Sequence, residues 1–309
     1  MKIFDLHADL GDDVFRQHRL GNKNILLNHH VDKLSKGEIM GVCMASYFAG
    51  EEDWQTMQDE IITLKNELNE TSHFHQLLTG SDLLSTQPLA LMSVEGMCGI
   101  KDDEVNKINW LYHQGIRLAS FTWNDENALG TGVRGDISRG LSSAGKNALY
   151  RMNQLHMIVD VSHANERTFW DIMNLSKGLV IASHSNARTL CNHPRNLDDE
   201  QCLAIAKKGG LIGLNATSIF IDEDKEKQTA LTLAKHAVYL KDLVGIDTIA
   251  CGFDFMDFFD DCDDILCKDL MKASDAQNFV EALRQVGFNE TEIERVCYKN
   301  VVEKFSAYL

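Results

Sequence analysis

The sequence predicts an α/β fold, a (β/α)8 TIM barrel formed by a single domain over residues 1–309. Eight short apolar segments, rich in β-branched residues, alternate along the chain with longer segments of helical periodicity. Five of these apolar segments stop at a His, Asp or Glu. In a closed barrel the carboxyl ends of the parallel strands meet at one rim, so a barrel would bring these polar residues together. A doubly wound sheet is the alternative that the same alternation allows.

The element boundaries follow from the hydrophobic pattern. The apolar segments predict strands near residues 2–6, 39–47, 89–94, 116–121, 157–161, 179–183, 210–215 and 247–252. Apolar residues at helical spacing predict helices near residues 53–70, 102–114, 143–155, 164–174, 198–207, 229–243, 274–286 and 290–305. Asp198 fits the N-cap of one of these helices. Only two prolines occur and no Gly/Ser-rich tract resembles a linker, which favours one domain.

The charge and the cysteines limit the partners and the compartment. The formal net charge is −16, so nucleic-acid backbones and anionic membranes would be repelled. No apolar segment is long enough to span a bilayer, and the N-terminal residues, which include Lys2 and Asp5, contain no apolar segment of the kind found in signal peptides. The eight cysteines are scattered, as is usual in proteins whose thiols stay reduced. We therefore expect a cytoplasmic protein that binds neither nucleic acid nor membranes.

Residues of metal-ligand type stand at five predicted strand ends. The first strand ends with His7 and Asp9, which would share one face because strand side chains alternate. The other four ends carry Glu95, His163, His184 and Asp254. A His-x-Asp pair alone is a weak signal, and each of these residues could instead cap a helix or satisfy a buried hydrogen bond. Their recurrence at strand ends favours ligation.

The number of ligands indicates the chemistry. Three imidazoles and two carboxylates exceed what one four-coordinate zinc with an open position requires. They suit two divalent metals about 3.5–4 Å apart that share a carboxylate and a bridging water or hydroxide. The metals would also offset the negative charge of several buried carboxylates. Because such a centre lowers the pKa of bound water and polarises a carbonyl, the set predicts hydrolysis of an amide or related bond.

Six motifs carry a resemblance to a known family. They are His7-Ala8-Asp9, Val94-Glu95-Gly96, Asp160-Val161-Ser162-His163, Ile181-Ala182-Ser183-His184-Ser185-Asn186-Ala187-Arg188, Pro194-Arg195-Asn196 and Gly252-Phe253-Asp254-Phe255. In this order, over nearly the whole chain, they resemble the membrane (renal) dipeptidase family, peptidase family M19. The resemblance implies a TIM barrel related to the amidohydrolases, with two zinc ions, that cleaves dipeptides and accepts D-residues at their C-terminal position.

The resemblance also implies a role for each metal ligand. His7 and Asp9 would hold the first zinc ion, and His163 and His184 would hold the second. Glu95 would bridge the two ions together with a water or hydroxide. Family membership also makes a homodimer an expectation, although no interface is evident in the sequence.

Other residues are assigned to the substrate by the same resemblance. Arg195 resembles the family arginine that contacts the substrate carbonyl or carboxylate. Asp254 would take a proton from the bridging water and pass it to the leaving amine. Many relatives carry a His after the fourth strand, whereas this chain has Trp123 followed by Asn124. Both are candidate substrate-binding residues, and the departure bears on substrate selectivity.

Three alternatives remain open at this point. The same site could act on N-acyl amino acids or cyclic amides. The chain could be a metal-stabilised binding protein that has lost catalysis, or a structural barrel without metal. The acidic segment at residues 257–264 could be a solvated loop or could attract a substrate ammonium group.

Overall fold

A computed structural model describes residues 1–260 and 262–309, and the predicted (β/α)8 barrel is confirmed. The eight barrel strands are β1 Ile3–Ala8, β2 Ile39–Tyr47, β3 Leu89–Glu95, β4 Leu118–Ser120, β5 Ile158–Asp160, β6 Val180–Ile181, β7 Ile212–Leu214 and β8 Ile249–Cys251. All strand pairs are parallel, in the order β6-β5-β4-β3-β2-β1-β8-β7. A parallel bridge between Ala182 and Ile212 joins the two ends of this order and closes the barrel.

A further short strand, His75–Gln76, lies between β2 and β3 in the chain and pairs with the start of β3. α-Helices follow each of the eight barrel strands. They are α1 Leu10–Arg19, α2 Val31–Lys36, α3 Trp54–Glu70, α4 Glu104–Gln114, α5 Ser143–Gln154, α6 Glu166–Leu175, α7 Asp199–Lys207, α8 Ala230–Val244, α9 Ala276–Gln285, α10 Glu290–Glu294 and α11 Asn300–Tyr308. The predicted N-cap at Asp198 is confirmed, since its side chain accepts a hydrogen bond from the Gln201 N–H.

The helices after β1 were missed by the hydrophobic pattern. Helical periodicity predicts no helix before residue 53, whereas α1 and α2 lie between β1 and β2. The buried face of α1 consists of Leu10, Gly11, Asp13 and Val14, of which only two are apolar side chains. Its apolar repeat is therefore too short to be recognised, and its packing against β2 depends on the close approach that Gly11 allows.

Apolar side chains fill the amino end of the barrel. Phe4, Leu89, Leu118 and Ile158, each at or near the start of its strand, belong to one buried cluster with the C-terminal helix α11. The ring of Phe305 on α11 meets that of Phe4 edge-on, with 5.7 Å between the ring centroids. Because this end of the barrel is closed by packing, the polar chemistry is confined to the carboxyl end.

Candidate metal centre

All six residues predicted at the strand ends lie together at the carboxyl rim of the barrel. His7 and Glu95 belong to β1 and β3 themselves. The other four follow a strand end closely, and they are Asp9, His163, His184 and Asp254. Five of the six are buried and Asp254 is partly buried. The closed barrel therefore brings the six side chains to one rim, as the sequence pattern predicts.

Glu95 stands at the middle of the cluster. Its Oε2 lies 3.4 Å from Nε2 of His7, whereas its Oε1 lies 2.6 Å from Nε2 of His163 and 3.3 Å from Nε2 of His184. The two carboxylate oxygens thus face different groups of imidazole nitrogens. This is the arrangement that a carboxylate bridging two metal ions requires.

The predicted proximity of His7 and Asp9 is found, but its local cause differs from the expectation. Nε2 of His7 lies 3.2 Å from Oδ1 of Asp9 and 3.8 Å from Oδ1 of Asp254. The register of β1 against β2 shifts between Asp5 and Ala8, and Asp9 is already the N-cap residue of α1. An irregular strand end and the turn into the helix, rather than simple alternation, place the two side chains together.

Unpartnered polar atoms show that the cluster suits metal ions. Nε2 of His7, Oδ1 of Asp9 and Oε1 of Glu95 are buried and find no hydrogen-bond partner among residues 1–260 and 262–309. The Nε2 atoms of His163 and His184 face each other at 2.9 Å. Ligands around one tetrahedral zinc ion stand about 3.3 Å apart, given bonds of about 2.0–2.1 Å. Buried polar atoms at such spacing are stabilised when a cation lies between them.

A chain of hydrogen bonds sets the tautomer of His184. Its Nδ1 lies 2.7 Å from Oγ of Ser183, and that hydroxyl donates to Oδ2 of Asp160. Because the carboxylate accepts the hydroxyl proton, the Ser183 oxygen accepts the Nδ1 proton of His184. Nε2 of His184 is then left with a free lone pair that faces Glu95, which is the form that ligates a metal.

His163 is held in the same way by a different residue. Its Nδ1 lies 2.9 Å from Oδ1 of the buried Asn124, so the amide oxygen accepts the ring proton and Nε2 faces the cluster.

His163 and Asp254 have φ angles of 66° and 58°. Backbone in this left-handed region is costly for residues other than glycine and tends to occur at functional sites.

Burial keeps the two imidazoles uncharged. Desolvation, followed by the charge of Arg195, lowers the pKa of His163 to about 4. Desolvation and the neighbouring His7 hold the pKa of His184 well below its ordinary value. Since only the neutral imidazole binds a metal, both side chains are ready to do so at neutral pH.

Asp254 is anchored through one oxygen only. Its Oδ2 accepts hydrogen bonds from Nδ2 of Asn215 at 3.0 Å and from Oγ1 of Thr217 at 3.3 Å. Its other oxygen, Oδ1, faces the cluster and lies 3.8 Å from Nε2 of His7. Burial is the main cause that raises the pKa of Asp254 to about 7, in the range where a carboxyl group exchanges protons at neutral pH.

A cavity of about 450 Å³ opens in front of the cluster. Asp9, Glu95, His163 and Asp254 form part of its wall. The remaining lining comes from three loops and two shorter segments. The loops contribute residues within 123–134, 193–195, and 256–260 with 262–265, and the shorter segments are Tyr47 at the end of β2 and residues 217–220. The candidate metal centre thus has a small-molecule cavity directly beside it.

The predicted substrate-binding residues all line this cavity. Arg195 is buried, and its Nη2 donates to the His184 carbonyl at 3.4 Å while its Nε has no hydrogen-bond partner. Trp123 contacts the ring of Tyr47 edge-on, with centroids 5.3 Å apart, and Asn124 holds His163. The Trp123 ring also lies beside His163, with centroids 6.1 Å apart.

Part of the acidic segment reaches the cavity mouth. Asp260 lines the cavity with a side chain that is 98% exposed and lies 3.5 Å from the Arg16 guanidinium. Asp261 lies outside the described residues. The neighbouring Lys33 pairs with Asp257 at 2.8 Å, so this acidic loop is partly neutralised by α1 and α2.

For several residues at the site, the sequence predicted no role. They are Asp160, Ser183, Asn215, Thr217, Arg134 and Tyr47. Asp160 offered a signal, because an acidic residue inside an apolar strand must find buried donors. Arg134 and Thr217 stand on loops whose path is set by tertiary contacts, and no local pattern marks them.

Comparison with known proteins identifies the family. The profile of the membrane dipeptidase family, peptidase family M19, matches residues 1–307. The chain belongs to this family. It is therefore an enzyme of the metallo-dipeptidase type, a hydrolase, as the six motifs predicted.

Curated relatives are consistent with this assignment. The chain is 34% identical over 217 residues to an uncharacterized protein in the pqqA 5′ region of Klebsiella pneumoniae, covering 67% of this chain and 77% of that protein. It is 28% identical over 224 residues to an uncharacterized dipeptidase of Schizosaccharomyces pombe, covering 72% of this chain. The alignment spans 53% of that dipeptidase, about half of its length.

Two solved structures of metallo peptidases have the same fold. A metallo peptidase from Rhodobacter sphaeroides, liganded with a phosphinate mimic of the dipeptide L-Ala-D-Ala, matches with a TM-score of 0.87 at 21% identity, covering 100% of this chain and 99% of that chain. The dipeptidase AC, a metallo peptidase of family M19, matches with a TM-score of 0.87 at 22% identity, covering 100% and 98%. Within the part of the chain that the structure describes, no helix has both the length and the apolar character needed to cross a membrane.

Proposed function

We propose that residues 1–309 form one zinc-dependent dipeptidase domain that holds two zinc ions. His7 and Asp9 would hold the first ion, His163 and His184 the second, and Glu95 would bridge them. The observation that carries this proposal is the division of the Glu95 oxygens between His7 on one side and the two other imidazoles on the opposite side. A metal pair held in this way supplies a bound water of lowered pKa and polarises a carbonyl.

Arg195 orients the substrate beside the metal centre. Its guanidinium is buried in the cavity wall and part of its donor capacity is unused. A dipeptide carries a carbonyl and a terminal carboxylate, and either can accept hydrogen bonds from a guanidinium. Since a buried unused donor is costly, substrate binding through Arg195 recovers a hydrogen bond that the free enzyme lacks.

Asp254 moves the proton. Oδ2 is fixed by Asn215 and Thr217, so Oδ1 keeps a constant position at the cluster. The carboxylate accepts a proton from the attacking water and donates it to the amine that leaves the substrate. Burial raises its pKa to about 7, which suits a group that must both take up and release a proton.

The substrate class is a dipeptide, with a D-residue accepted at the C-terminal position. The family supports the dipeptide, and a mimic of L-Ala-D-Ala is bound in the Rhodobacter relative of the same fold. Trp123 stands where many relatives have a His, so we propose that it lines the substrate cavity without polarising the carbonyl. A cytoplasmic location and a homodimer remain predictions from the sequence.

Zinc analysis combined with a substrate panel tests the proposal. Purified protein is stripped of metal, reloaded with zinc and assayed with L,L- and L,D-dipeptides, N-acyl amino acids and cyclic amides. We expect two zinc ions per chain and hydrolysis of dipeptides in preference to the other classes. His184→Asn should lower the zinc content towards one ion, whereas His113→Asn, at an exposed position of α4, should leave it unchanged.

Three other outcomes of this experiment would contradict different parts of the proposal. Preference for the acylated amino acids or cyclic amides would reassign the substrate class of the same site. Zinc binding without hydrolysis of any compound would favour a binding protein that has lost catalysis. Absence of zinc binding would refute the metal centre itself.

A further inference from the structure

The substrate cavity is lined by a second arginine in addition to Arg195. Arg134, on the loop between β4 and α5, lines the same cavity. Its Cζ lies 5.6 Å from the centroid of the Trp123 ring, so the guanidinium rests over the aromatic face. A dipeptide has one terminal carboxylate, and Arg195 is already placed to contact it or the carbonyl. A second cation in this cavity therefore needs its own explanation.

The loop that carries Arg134 is attached to the metal centre. The Arg134 N–H donates to the Asn124 carbonyl at 2.7 Å, and the N–H of Val133 donates to the His163 carbonyl at 2.9 Å. His163 belongs to the candidate metal cluster, and Asn124 holds the His163 ring. These two hydrogen bonds fix the backbone of Arg134 relative to the candidate metal centre, although its side chain is exposed.

No acidic side chain neutralises Arg134. Among residues 1–260 and 262–309, its guanidinium has neither a hydrogen bond nor an ion pair, in contrast to Arg139 five residues later, which pairs with Glu126. Asp260, an acidic residue that lines the cavity, is directed to Arg16. In a chain of net charge −16, a cation left unpaired in a cavity is available to a ligand.

His193 adds no charge to this side of the cavity. It lines the cavity and its Nδ1 accepts a hydrogen bond from the Arg195 N–H at 3.2 Å. Burial first, and then the charges of Arg195 and Arg134, lower the pKa of His193. His193, Arg195 and Arg134 all line this one cavity.

We propose that Arg134 and Trp123 form a subsite for a second carboxylate, so that the enzyme selects dipeptides whose C-terminal residue is aspartate or glutamate. This inference rests on the proposed dipeptidase function. The C-terminal residue whose α-carboxylate reaches Arg195 would direct its own side chain across the same cavity towards Arg134. A planar guanidinium held on an aromatic face is suited to a carboxylate, and less so to the uncharged amide of the same shape.

Matched acid and amide substrates test the subsite. Zinc-loaded enzyme is assayed with Ala-Asp against Ala-Asn and Ala-Glu against Ala-Gln, with both L and D configurations at the C-terminal residue. We expect kcat/KM to be roughly tenfold higher for the acid of each pair, the size of one charge-assisted hydrogen bond. The ratio should fall to near one in Arg134→Met and to an intermediate value in Arg134→Lys, which keeps the charge but loses the planar contact. Arg139→Met, which removes a cation of the same loop outside the cavity, should keep the wild-type ratio.

The outcomes separate this inference from the proposed function. If the wild type hydrolyses acids and amides equally, or if Arg134→Met weakens every dipeptide to the same extent, the subsite is refuted and the dipeptidase function stands. If no dipeptide is hydrolysed, the proposed function fails. Calorimetric binding of the same peptides to wild type and Arg134→Met then decides whether Arg134 selects the second carboxylate.

Discussion

Asp5 and Asp160 have equivalent roles at two separate points of the barrel. Each carboxylate accepts hydrogen bonds from two backbone N–H groups that lie at two different strand ends. Oδ1 of Asp5 accepts a hydrogen bond from the N–H of His7 at 3.3 Å and another from the N–H of Phe253 at 2.8 Å. The first bond fixes the end of β1, and the second fixes the residue that precedes Asp254. One carboxylate thus positions two strand ends where the candidate site residues begin.

Asp160 repeats this arrangement between β5 and β6. Its Oδ1 accepts hydrogen bonds from the N–H groups of Ser162 and Ser183, both at 2.9 Å. These residues directly precede His163 and His184. The second oxygen of Asp160 extends the arrangement to the His184 ring through the Ser183 hydroxyl. Hydrogen bonds of this kind to a ligand imidazole fix both its orientation and its tautomer.

Asp160→Asn should weaken zinc binding. The amide would donate to the Ser183 oxygen, so the serine proton would turn to Nδ1 of His184 and the ring proton would move to Nε2. We expect zinc affinity at the second site to fall by about 10–100-fold, measured by competition with a chromophoric chelator. Ser183→Ala should lower it too, since it removes the same link, whereas Asp136→Asn, at an exposed loop position, should not. Wild-type affinity in Asp160→Asn would contradict this account.

Asp254→Asn should abolish turnover without loss of metal. Asparagine is well tolerated at a φ of 58°, so the fold should persist. Because the amide cannot accept and release a proton, kcat should fall by about 10²–10⁴-fold while zinc content stays at the wild-type level. Asp260→Asn, which removes an exposed carboxylate from the cavity mouth, is the matched control. The proton-transfer role would be wrong if Asp254→Asn kept the kcat of the wild type.

Gly96→Ala should destabilise both the fold and the metal centre. Gly96 has a φ of 78°, and an added Cβ would lie 2.8 Å from the Phe48 carbonyl oxygen. Gly21 has a φ of 88° with nothing within 4 Å, so Gly21→Ala measures backbone strain alone, about 1 kcal/mol. Urea unfolding should show a larger loss for Gly96→Ala, together with weaker zinc binding, because Glu95 is its neighbour. If both variants lose the same free energy of unfolding, the close contact between the added Cβ and the Phe48 carbonyl does not destabilise the fold.

Stability should fall as the pH rises through the titration range of Glu60. This residue of α3 is 3% exposed and accepts a hydrogen bond from the Tyr47 N–H at 3.1 Å. Burial, with a contribution from Asp12, raises its pKa well above the ordinary value. Below the pKa that Glu60 has in the unfolded chain, its carboxyl group is protonated in both the folded and the unfolded state. Above it the unfolded state releases the proton and the folded state retains it, which favours unfolding.

Glu60→Gln should remove this pH dependence. The free energy of unfolding, measured with urea at pH 5, 6.5 and 8, should exceed that of wild type increasingly as the pH rises. Asp59→Asn changes an exposed neighbour on the same helix and should leave the wild-type pH profile in place. A constant difference between wild type and Glu60→Gln at all three pH values would show that Glu60 does not titrate in this way.

The sequence predicted the barrel because its strands are buried on both faces and stand out as apolar runs. The same runs located His7, Glu95, His163, His184 and Asp254, since each run stops where a polar side chain enters the rim. The sequence could not locate α1, whose buried face includes Gly11 and Asp13. Nor could it reveal which carboxylate contacts which imidazole, or that Arg134 reaches the cavity, because these depend on the tertiary path of the loops.

The pairing of β1 with β8 has a consequence for the order of folding. The hydrogen bond between Asp5 and Phe253 joins residues 248 positions apart in the chain. Contacts between residues so far apart in the chain form late in folding. Closing such a long loop costs conformational entropy, and this cost is smaller once other contacts have already shortened the loop. His7 and Asp254 therefore become neighbours only when the barrel closes. A chain that has acquired its full metal affinity has, by that fact, completed its folding, so metal uptake can serve as a kinetic probe of the last step.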